Sequence, residues 1–374
     1  MKRNSPGILT RRSFLAGCSA FFVSGIASPL SSLASPALSP LEARFYSKLK
    51  GGKTICGLCP HGCIIDSGER GLCGVRENRD GILYSLVYGL PCSIHLDPIE
   101  KKPFFHFLPG SSSLSISTVG CNMTCKFCQN WQISQSSPED LDTDHLSPES
   151  VAARASTLGA RSISFTYGEP VVFYEYMTDI ALSARDRELY SAVVTNGYYS
   201  PDAIRQLCGL VNAVKIDLKS FSESYYRDIC GATLQPVLES MKIIRDSGTW
   251  MEIVYLMVPG LNDSREEIEQ MARWIVDELG MDVPVHISRF FPQYRLANLP
   301  PTPLSSLESA YGIMRDAGVR YVYLGNLPDH RSMSTYCHSC GKKIISRKGY
   351  RISSISLNNG NCGFCGEEIP GIWS

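Results

Sequence analysis

The feature that most constrains the fold is a regular alternation of strand-like and helix-like segments over the middle of the chain. Six strand-like runs are residues 114–121, 161–170, 190–197, 212–220, 250–260 and 283–292, and helix-like segments are 148–158, 173–188, 201–210, 234–246 and 264–279. One more helix and strand follow at 305–318 and 319–326. Strands that alternate with helices form parallel βαβ units. Six units predict an α/β fold, a partial (β/α)6 TIM-like barrel that is open on one side. A doubly wound open sheet shows the same alternation and remains an alternative.

The regions on either side of this alternation differ from it in composition. We predict four parts: a signal and linker over 1–40, a cysteine-rich segment over 44–108, the barrel over 109–330 and a cysteine-rich tail over 335–374. The segment over 44–108 is dense in glycine and has no long helical period. Short cysteine spacings at both ends favour metal binding over a disulfide framework.

The charge balance removes the simplest electrostatic case for nucleic-acid binding. Lys plus Arg is 36 and Asp plus Glu is 36, so the formal net charge is zero. A chain without excess positive charge lacks the electrostatic footprint of a nucleic-acid-binding protein. We therefore expect no nucleic-acid partner.

The first residues suggest export. Arg11 and Arg12 precede Phe14 and Leu15 and an apolar run, a pattern that resembles a twin-arginine signal. The run of about 17 residues is shorter than the ~20 that a spanning helix needs. The resemblance implies a periplasmic or membrane-associated protein, tethered if the segment 14–30 stays uncleaved, and a cytoplasmic one if the signal does not function.

Three cysteines follow the first predicted strand. Cys121, Cys125 and Cys128 have spacings of three and two, whereas closed zinc sites and all-cysteine iron–sulfur clusters use four ligands. Three ligands on a four-iron cluster leave one iron open. Polar residues also end the later strands, where active sites of parallel βα folds collect: Gly168-Glu169-Pro170, Thr195-Asn196-Gly197, Asp217-Leu218-Lys219, and His286 with Arg289.

At these residues the sequence resembles the radical SAM superfamily. The spacing of Cys121, Cys125 and Cys128 matches its cluster motif, with the aromatic Phe127 before the third cysteine, and the resemblance extends over about 112–295. Within the superfamily the chain is similar to the activating enzymes of glycyl radical enzymes. The stretches "CQNWQIS" and "DPIEKKPFFHFLPG" and the segment 56–73 resemble the radical SAM component of the AmmeMemoRadiSam group.

The resemblance implies a [4Fe–4S] cluster on the three cysteines, with S-adenosylmethionine (SAM) on the fourth iron. It implies reductive cleavage of SAM to a 5′-deoxyadenosyl radical, which abstracts hydrogen from a substrate. The substrate that we expect is a protein or peptide, and the expected electron donor is of the flavodoxin or ferredoxin kind.

The resemblance also implies roles for single residues. Gly168 and Glu169 match the strand end that receives the methionyl amino group of SAM, although Tyr167 replaces the first glycine of that motif. Phe127 is expected near the adenine, and His286 and Asn196 near SAM. Asp217 and Lys219 match an Asp-Leu-Lys pattern that contacts SAM or the substrate peptide, so we expect both to be catalytic.

The two flanking cysteine groups predict further metal sites. Cys337, Cys340, Cys362 and Cys365 have the spacing of a zinc ribbon, and each pair leads into a glycine. Four thiolates suit zinc, and an iron site would use the same spacing. Cys56, Cys59, Cys63 and Cys73 admit an auxiliary [4Fe–4S] cluster, a zinc ion or unmetallated thiols. We interpret Cys92, Cys208 and Cys230 as isolated, buried thiols.

Two other classes of function stay open at this point. An electron-transfer iron–sulfur protein would need the same cysteines without SAM chemistry. A zinc-binding scaffold would bind a partner and catalyse nothing.

Overall fold

A computed structural model of the chain describes residues 40–140, 143–327 and 330–374. The predicted twin-arginine signal lies outside these residues, so export and the membrane tether stay predictions. Within the described ranges, no helix combines the length and apolarity that crossing a membrane requires.

Two small antiparallel sheets begin the described chain. In one, β6 pairs with both β1 and β5, and in the other β3 pairs with both β2 and β4. The strands are β1 (Leu41–Glu42), β2 (Tyr46–Lys48), β3 (Thr54–Cys56), β4 (Ile64–Ile65), β5 (Arg76–Arg79) and β6 (Ile82–Ser85). A short 3-10 turn, Lys50–Gly52, connects β2 to β3.

An eight-stranded sheet forms the centre of the fold, and its strands lie side by side in chain order. The first strand is antiparallel to the second, and the remaining seven are parallel. They are β7 (Ser93–Pro98), β8 (Ser112–Ser117), β9 (Ser162–Phe165), β10 (Tyr190–Thr195), β11 (Ala213–Asp217), β12 (Trp250–Met257), β13 (Val285–Arg289) and β14 (Val322–Gly325). A doubly wound sheet would reverse its strand order at a switch point, so the sequential order supports the barrel-type arrangement.

The helices connect the parallel strands. They are α1 (Trp131–Ser134), α2 (Pro148–Thr157), α3 (Tyr174–Arg185), α4 (Pro201–Cys208), α5 (Glu223–Tyr225), α6 (Gln235–Ser247), α7 (Arg265–Trp274) and α8 (Leu304–Asp316). Two π-helical turns, Tyr226–Cys230 and Ile275–Leu279, continue α5 and α7. The 3-10 turns of this region are Ile99–Lys101, Pro138–Asp140, Pro170–Phe173, Tyr294–Leu296 and Arg331–Met333.

Local sequence signals explain where several helices begin and end. The Ser147 side chain accepts a hydrogen bond from the amide of Ser150 at the start of α2, and Ser264 accepts one from Glu267 at the start of α7. Such caps satisfy amides that have no partner within the helix. Gly248 ends α6 with a φ of +74°, a conformation that glycine adopts without steric cost.

The sheet differs from the predicted six-stranded barrel in two ways. Val322–Gly325 pairs with β13, so the parallel part has seven strands and not six. Ser93–Pro98 lies within the predicted cysteine-rich segment, but it forms the antiparallel strand β7 along β8. Its residues are half-buried or exposed, apart from Asp97, so the segment carries no strong apolar period that would predict a strand.

The tail packs onto the barrel through the segment after β7. Its strands are β15 (Thr335–Tyr336), β16 (Lys343–Lys348), β17 (Arg351–Ile355), β18 (Leu357–Asn358) and β19 (Asn361–Cys362). The amide of Leu108 donates to the carbonyl of Ile372, and the buried Arg347 guanidinium donates to the carbonyl of Phe105, each at 2.7 Å. These bonds fix the tail against the segment that precedes β8.

Candidate active site

A cavity of about 580 Å³ lies at the carboxyl ends of the parallel strands. This volume is within the ~300–1,000 Å³ of small-molecule sites. The structure brings together here every residue predicted for the cluster and SAM: Cys121, Cys125, Phe127, Cys128, Gly168, Glu169, Asn196, Asp217, Lys219 and His286. The two flanking cysteine groups lie outside this cavity.

The loop after β8 presents the three cysteines. Gly120 starts the loop with a φ of +96°. The Cys121 thiol accepts from the amide of Met123 at 3.4 Å, and the Cys128 thiol lies 3.3 Å from the Ser134 hydroxyl. Burial and the nearby Glu169 carboxylate raise the pKa of Cys121 well above its usual value, so a metal must supply the free energy that deprotonates it.

A fourth thiol, that of Cys230, contacts the site, and this corrects our interpretation of Cys230 as isolated. A hydrogen bond from Cys230 lowers the pKa of Cys125, against the effect of burial, and the pKa of Cys230 itself is raised. The carbonyl of Cys230 also accepts from the amide of Thr124 at 2.9 Å. Hydrogen bonds to ligand sulfurs tune the reduction potentials of iron–sulfur clusters. No local sequence pattern marks Cys230, because it lies a hundred residues from the loop.

The strand end after β9 is shaped by Tyr167 and Gly168. Tyr167 has a φ of +69°, so it keeps the left-handed backbone that a glycine would adopt at this position. Its hydroxyl bonds to Asp97, and its carbonyl accepts from Asn130 at 2.8 Å. A Cβ on Gly168 would lie 2.7 Å from the Ser117 hydroxyl oxygen, which leaves no space for a side chain.

Glu169 is a buried hydrogen-bond acceptor. Its oxygens accept from the hydroxyl of Thr195, from the amide of Asn196 at 2.8 Å and from the amide of Val171 at 3.1 Å. Burial raises the pKa of Glu169 to about 7, and these three hydrogen bonds act in the opposite direction. A cationic or amino group placed beside it would favour the ionised form. Thr195 is a supporting residue to which the sequence assigned no role.

Asn196 acts mainly within the protein. Its amide donates to Glu169, its side-chain nitrogen donates to Asn122 at 2.8 Å, and its side-chain oxygen accepts from the amide of Tyr198. These bonds orient Glu169 and the residue after Cys121, and the expected role of Asn196 near SAM stays a prediction.

Asp217 and Lys219 form an ion pair at the rim, with 2.9 Å between the carboxylate and the ammonium. Burial would lower the pKa of Lys219, but Asp217 and Cys125 more than offset it and raise the pKa. Lys219 is thus a fixed positive charge beside the cysteine loop.

His286 lies deeper, between Phe105 and Tyr323, and its Nε2 is 2.7 Å from the buried carboxylate of Glu252. Burial and the nearby Lys215 lower the pKa of His286 to about 3, so the imidazole is neutral. Glu252 also accepts from the amides of Phe105 and His106. Sequence reasoning missed Glu252, although a lone acid in the apolar run of β12 was an available signal.

The tail cysteines form a separate, compact group. All four thiols lie within 4.8 Å of one another, with Cys337 and Cys365 at 3.6 Å and Cys340 and Cys362 at 3.8 Å. Four sulfurs held about 2.3 Å from one ion in a tetrahedral array are about 3.8 Å apart. This group therefore has the dimensions of a site for a single metal ion.

Comparisons with known proteins agree with this geometry. Residues 115–275 match the family described as the radical SAM superfamily. An uncharacterized protein of Methanocaldococcus jannaschii is 41% identical over 330 residues, which cover 88% of this chain and 98% of that protein. The pyruvate formate-lyase 1-activating enzyme of Escherichia coli is 21% identical over 224 residues, 54% of this chain and 89% of the relative. The isethionate sulfite-lyase activating enzyme of Oleidesulfovibrio alaskensis is 29% identical over 128 residues, 33% of this chain and 41% of the relative.

The sheet is of the parallel barrel type, and three cysteines and a buried carboxylate surround one cavity. This combination is typical of iron–sulfur enzymes that use SAM. The chain belongs to the radical SAM superfamily, and it is an enzyme that uses radical chemistry. This assignment replaces the two alternatives, an electron-transfer protein and a zinc-binding scaffold.

The residues of the cavity fit a [4Fe–4S] cluster and SAM. Three thiols on one loop would hold the cluster, and Glu169 beside them would accept from the methionyl amino group. When bound, the two groups supply a 5′-deoxyadenosyl radical that abstracts hydrogen from a substrate. The chain's own residues fix the carboxylate through Thr195 and Asn196 and place a positive charge at the rim through Lys219.

SAM binding should weaken as the pH falls through neutrality. Because the pKa of Glu169 is about 7, the carboxylate that accepts from the amino group is lost below that pH. Equilibrium binding of SAM to the cluster-loaded protein should weaken roughly tenfold from pH 8 to pH 6, as expected for one titrating group. Glu169→Gln should bind weakly at both pH values without this dependence. An unchanged pH profile in Glu169→Gln would remove Glu169 from this role.

Proposed function

We propose that the chain generates a radical on a protein or peptide, in the manner of the enzymes that activate glycyl radical enzymes. The observation that carries this proposal is the Asp217–Lys219 ion pair at the rim of the cavity, 33% and 15% exposed respectively. The pair matches the Asp-Leu-Lys pattern of the activating enzymes. Several relatives are named for the activation of another enzyme, among them those for pyruvate formate-lyase and isethionate sulfite-lyase.

The breadth of the cavity supports a macromolecular substrate. Beyond the residues assigned to the cluster and SAM, its lining includes Asn326, Met333 and Tyr350 from the barrel end and the tail. Tyr350 is 49% exposed, so the lining continues to the protein surface. A backbone loop of a partner protein can enter such an opening, as loops do at many binding sites.

Transfer of deuterium tests this proposal. The reduced, cluster-loaded enzyme is incubated with SAM and with either the macromolecular or the low-mass fraction of cells of the source organism grown in D2O. Hydrogen abstraction from a protein predicts deuterium in 5′-deoxyadenosine with the macromolecular fraction, and loss of this label after protease digestion to small fragments. Lys219→Ala should reduce the label without removing the cluster's absorbance. Label that arises from the low-mass fraction alone would contradict a protein substrate.

We also propose that the tail cysteines hold one metal ion, zinc or iron. Gly341 and Gly366 have φ values of +71° and +80° and allow the chain to turn tightly behind each cysteine pair. Such an ion would add folding free energy to a tail that has a small core of its own.

A further inference from the structure

The second four-cysteine group meets at one point of the structure, beside the barrel. Cys56, Cys59, Cys63 and Cys73 line a common cavity that is distinct from the active-site cavity. The hairpin of β3 and β4 brings Cys56 opposite Cys63, and the amide of Cys56 donates to the carbonyl of Cys63 at 2.9 Å. Cys59 lies in the turn between them, where the amide of Gly62 donates to its carbonyl at 3.2 Å. The hairpin therefore presents Cys56, Cys59 and Cys63 to the same cavity.

Cys73 approaches from a different turn. Gly71 lies next to Cys63, and a Cβ on Gly71 would be 3.6 Å from the Cys63 sulfur, an ordinary van der Waals distance. Gly74, with a φ of +75°, reverses the chain after Cys73. The two turns place all four thiols around one space.

A buried cation without a complete set of partners lines the same cavity. The Arg76 side chain is 1% exposed, and its terminal nitrogens bind Glu175 at 2.6 Å and the carbonyl of Arg44 at 3.0 Å. Its Nε is buried and has no hydrogen-bond partner among the described residues. A buried donor of this kind usually has an acceptor, and anionic sulfur beside the cysteines would provide one.

The group is also less compact than the tail site. In the described part of the chain, one group has three or more potential metal-ligand atoms within 4.8 Å of one another, and that group is the four tail cysteines. Cys56, Cys59, Cys63 and Cys73 do not reach this compactness, and neither do Cys121, Cys125 and Cys128. The spacing thus distinguishes this group from the single-ion tail site, and four cysteine thiolates are the usual ligand set of a [4Fe–4S] cluster.

The cavity directly adjoins the loop of the active-site cysteines. A Cβ on Gly120 would lie 2.9 Å from the carbonyl oxygen of Cys73. Asn122 lines the four-cysteine cavity, and its carbonyl oxygen lies 2.7 Å from Nε2 of His61. Both neighbours of Cys121 in the chain thus contact the segment that carries the second group.

We infer that Cys56, Cys59, Cys63 and Cys73 hold an auxiliary iron–sulfur cluster with four protein ligands, next to the active-site cluster and hydrogen-bonded by Arg76. Its ligand set is complete, so it has no open iron for SAM. The inference does not depend on the identity of the substrate.

The content of iron, zinc and acid-labile sulfide per chain, measured in anaerobically purified full-length variants, tests this inference. The variant Cys121→Ala/Cys125→Ala/Cys128→Ala should retain roughly two to four sulfides per chain, as expected for one cluster, since a single ion in the tail binds no sulfide. The variant Cys56→Ala/Cys59→Ala should lose this sulfide and keep that of the active-site cluster. Adding the Cys56→Ala/Cys59→Ala pair to the first variant should remove all sulfide.

The reduced wild-type protein provides a second measurement. Two paramagnetic clusters in adjoining sites should broaden each other's electron paramagnetic resonance signals, and the broadening should disappear in Cys56→Ala/Cys59→Ala. A variant Cys121→Ala/Cys125→Ala/Cys128→Ala that is free of sulfide overturns the inference. Zinc in place of iron and sulfide at the second group overturns it as well.

Discussion

Replacing Cys121, Cys125 or Cys128 singly with alanine should abolish the cleavage of SAM. Three thiolates hold the active-site cluster, and the loop contains no fourth cysteine that could replace a lost ligand. Formation of 5′-deoxyadenosine by the reduced protein should fall below detection. The metal content of the tail should remain, because Cys337, Cys340, Cys362 and Cys365 lie outside the active-site cavity.

Cys208→Ala is the matched control for these variants. Cys208 is also a largely buried thiol, 9% exposed, but it lies at the end of α4 and does not line the cavity. This variant should retain SAM cleavage close to that of the wild type. Full cleavage activity in any one of the three loop variants would contradict the ligand assignment.

Glu175→Ala should destabilise the fold by about 3–5 kcal/mol, the range measured when one partner of a buried ion pair is removed. Glu175 is fully buried and Arg76 is 1% exposed, and both carboxylate oxygens accept from the same guanidinium nitrogen at 2.6 and 2.7 Å. The substitution leaves the guanidinium in the interior without its anion. It also removes the acceptor of the Arg44 amide. Denaturant unfolding under anaerobic conditions measures the loss.

Two further variants distinguish the contribution of the buried ion pair to the unfolding free energy from general effects of substitution. Arg76→Met/Glu175→Leu removes both charges and should recover much of the lost free energy of unfolding, because no unpaired charge remains buried. Asp202→Ala breaks the exposed pair with Arg205 and should leave the unfolding free energy nearly unchanged. If Glu175→Ala unfolds at the same denaturant concentration as Asp202→Ala, the buried pair does not stabilise the fold.

The helices of the barrel were predictable because their signals are local. The segment 148–158 was expected as a helix, and α2 spans Pro148–Thr157. The helix expected over 264–279 begins at Arg265, after the Ser264 cap, and continues into a π-helical turn that ends at Leu279. Caps, apolar period and terminal glycines all lie within a few residues of the helix that they specify.

The strand β7 shows the limit of such signals. Ser93–Pro98 is a strand because β8 offers its edge for pairing, and edge pairing depends on a partner strand more than on the segment's own residues. The seventh parallel strand was visible as a run of apolar residues, but its place beside β13 was not. The number of strands in the sheet was therefore decided by packing.

The sequence by itself determined the chemistry that the active site can support. Cys121, Cys125, Cys128 and Glu169 are marked by spacing and by their position after strands, and parallel strands gather their carboxyl ends at one rim. Tertiary structure alone decided which groups support them. Cys230, Glu252 and the pair of Arg76 and Glu175 contact partners that are distant in the chain. The role of a buried thiol or charge depends on the groups that contact it. Those groups come from distant parts of the chain, so no periodic pattern in the sequence predicts them.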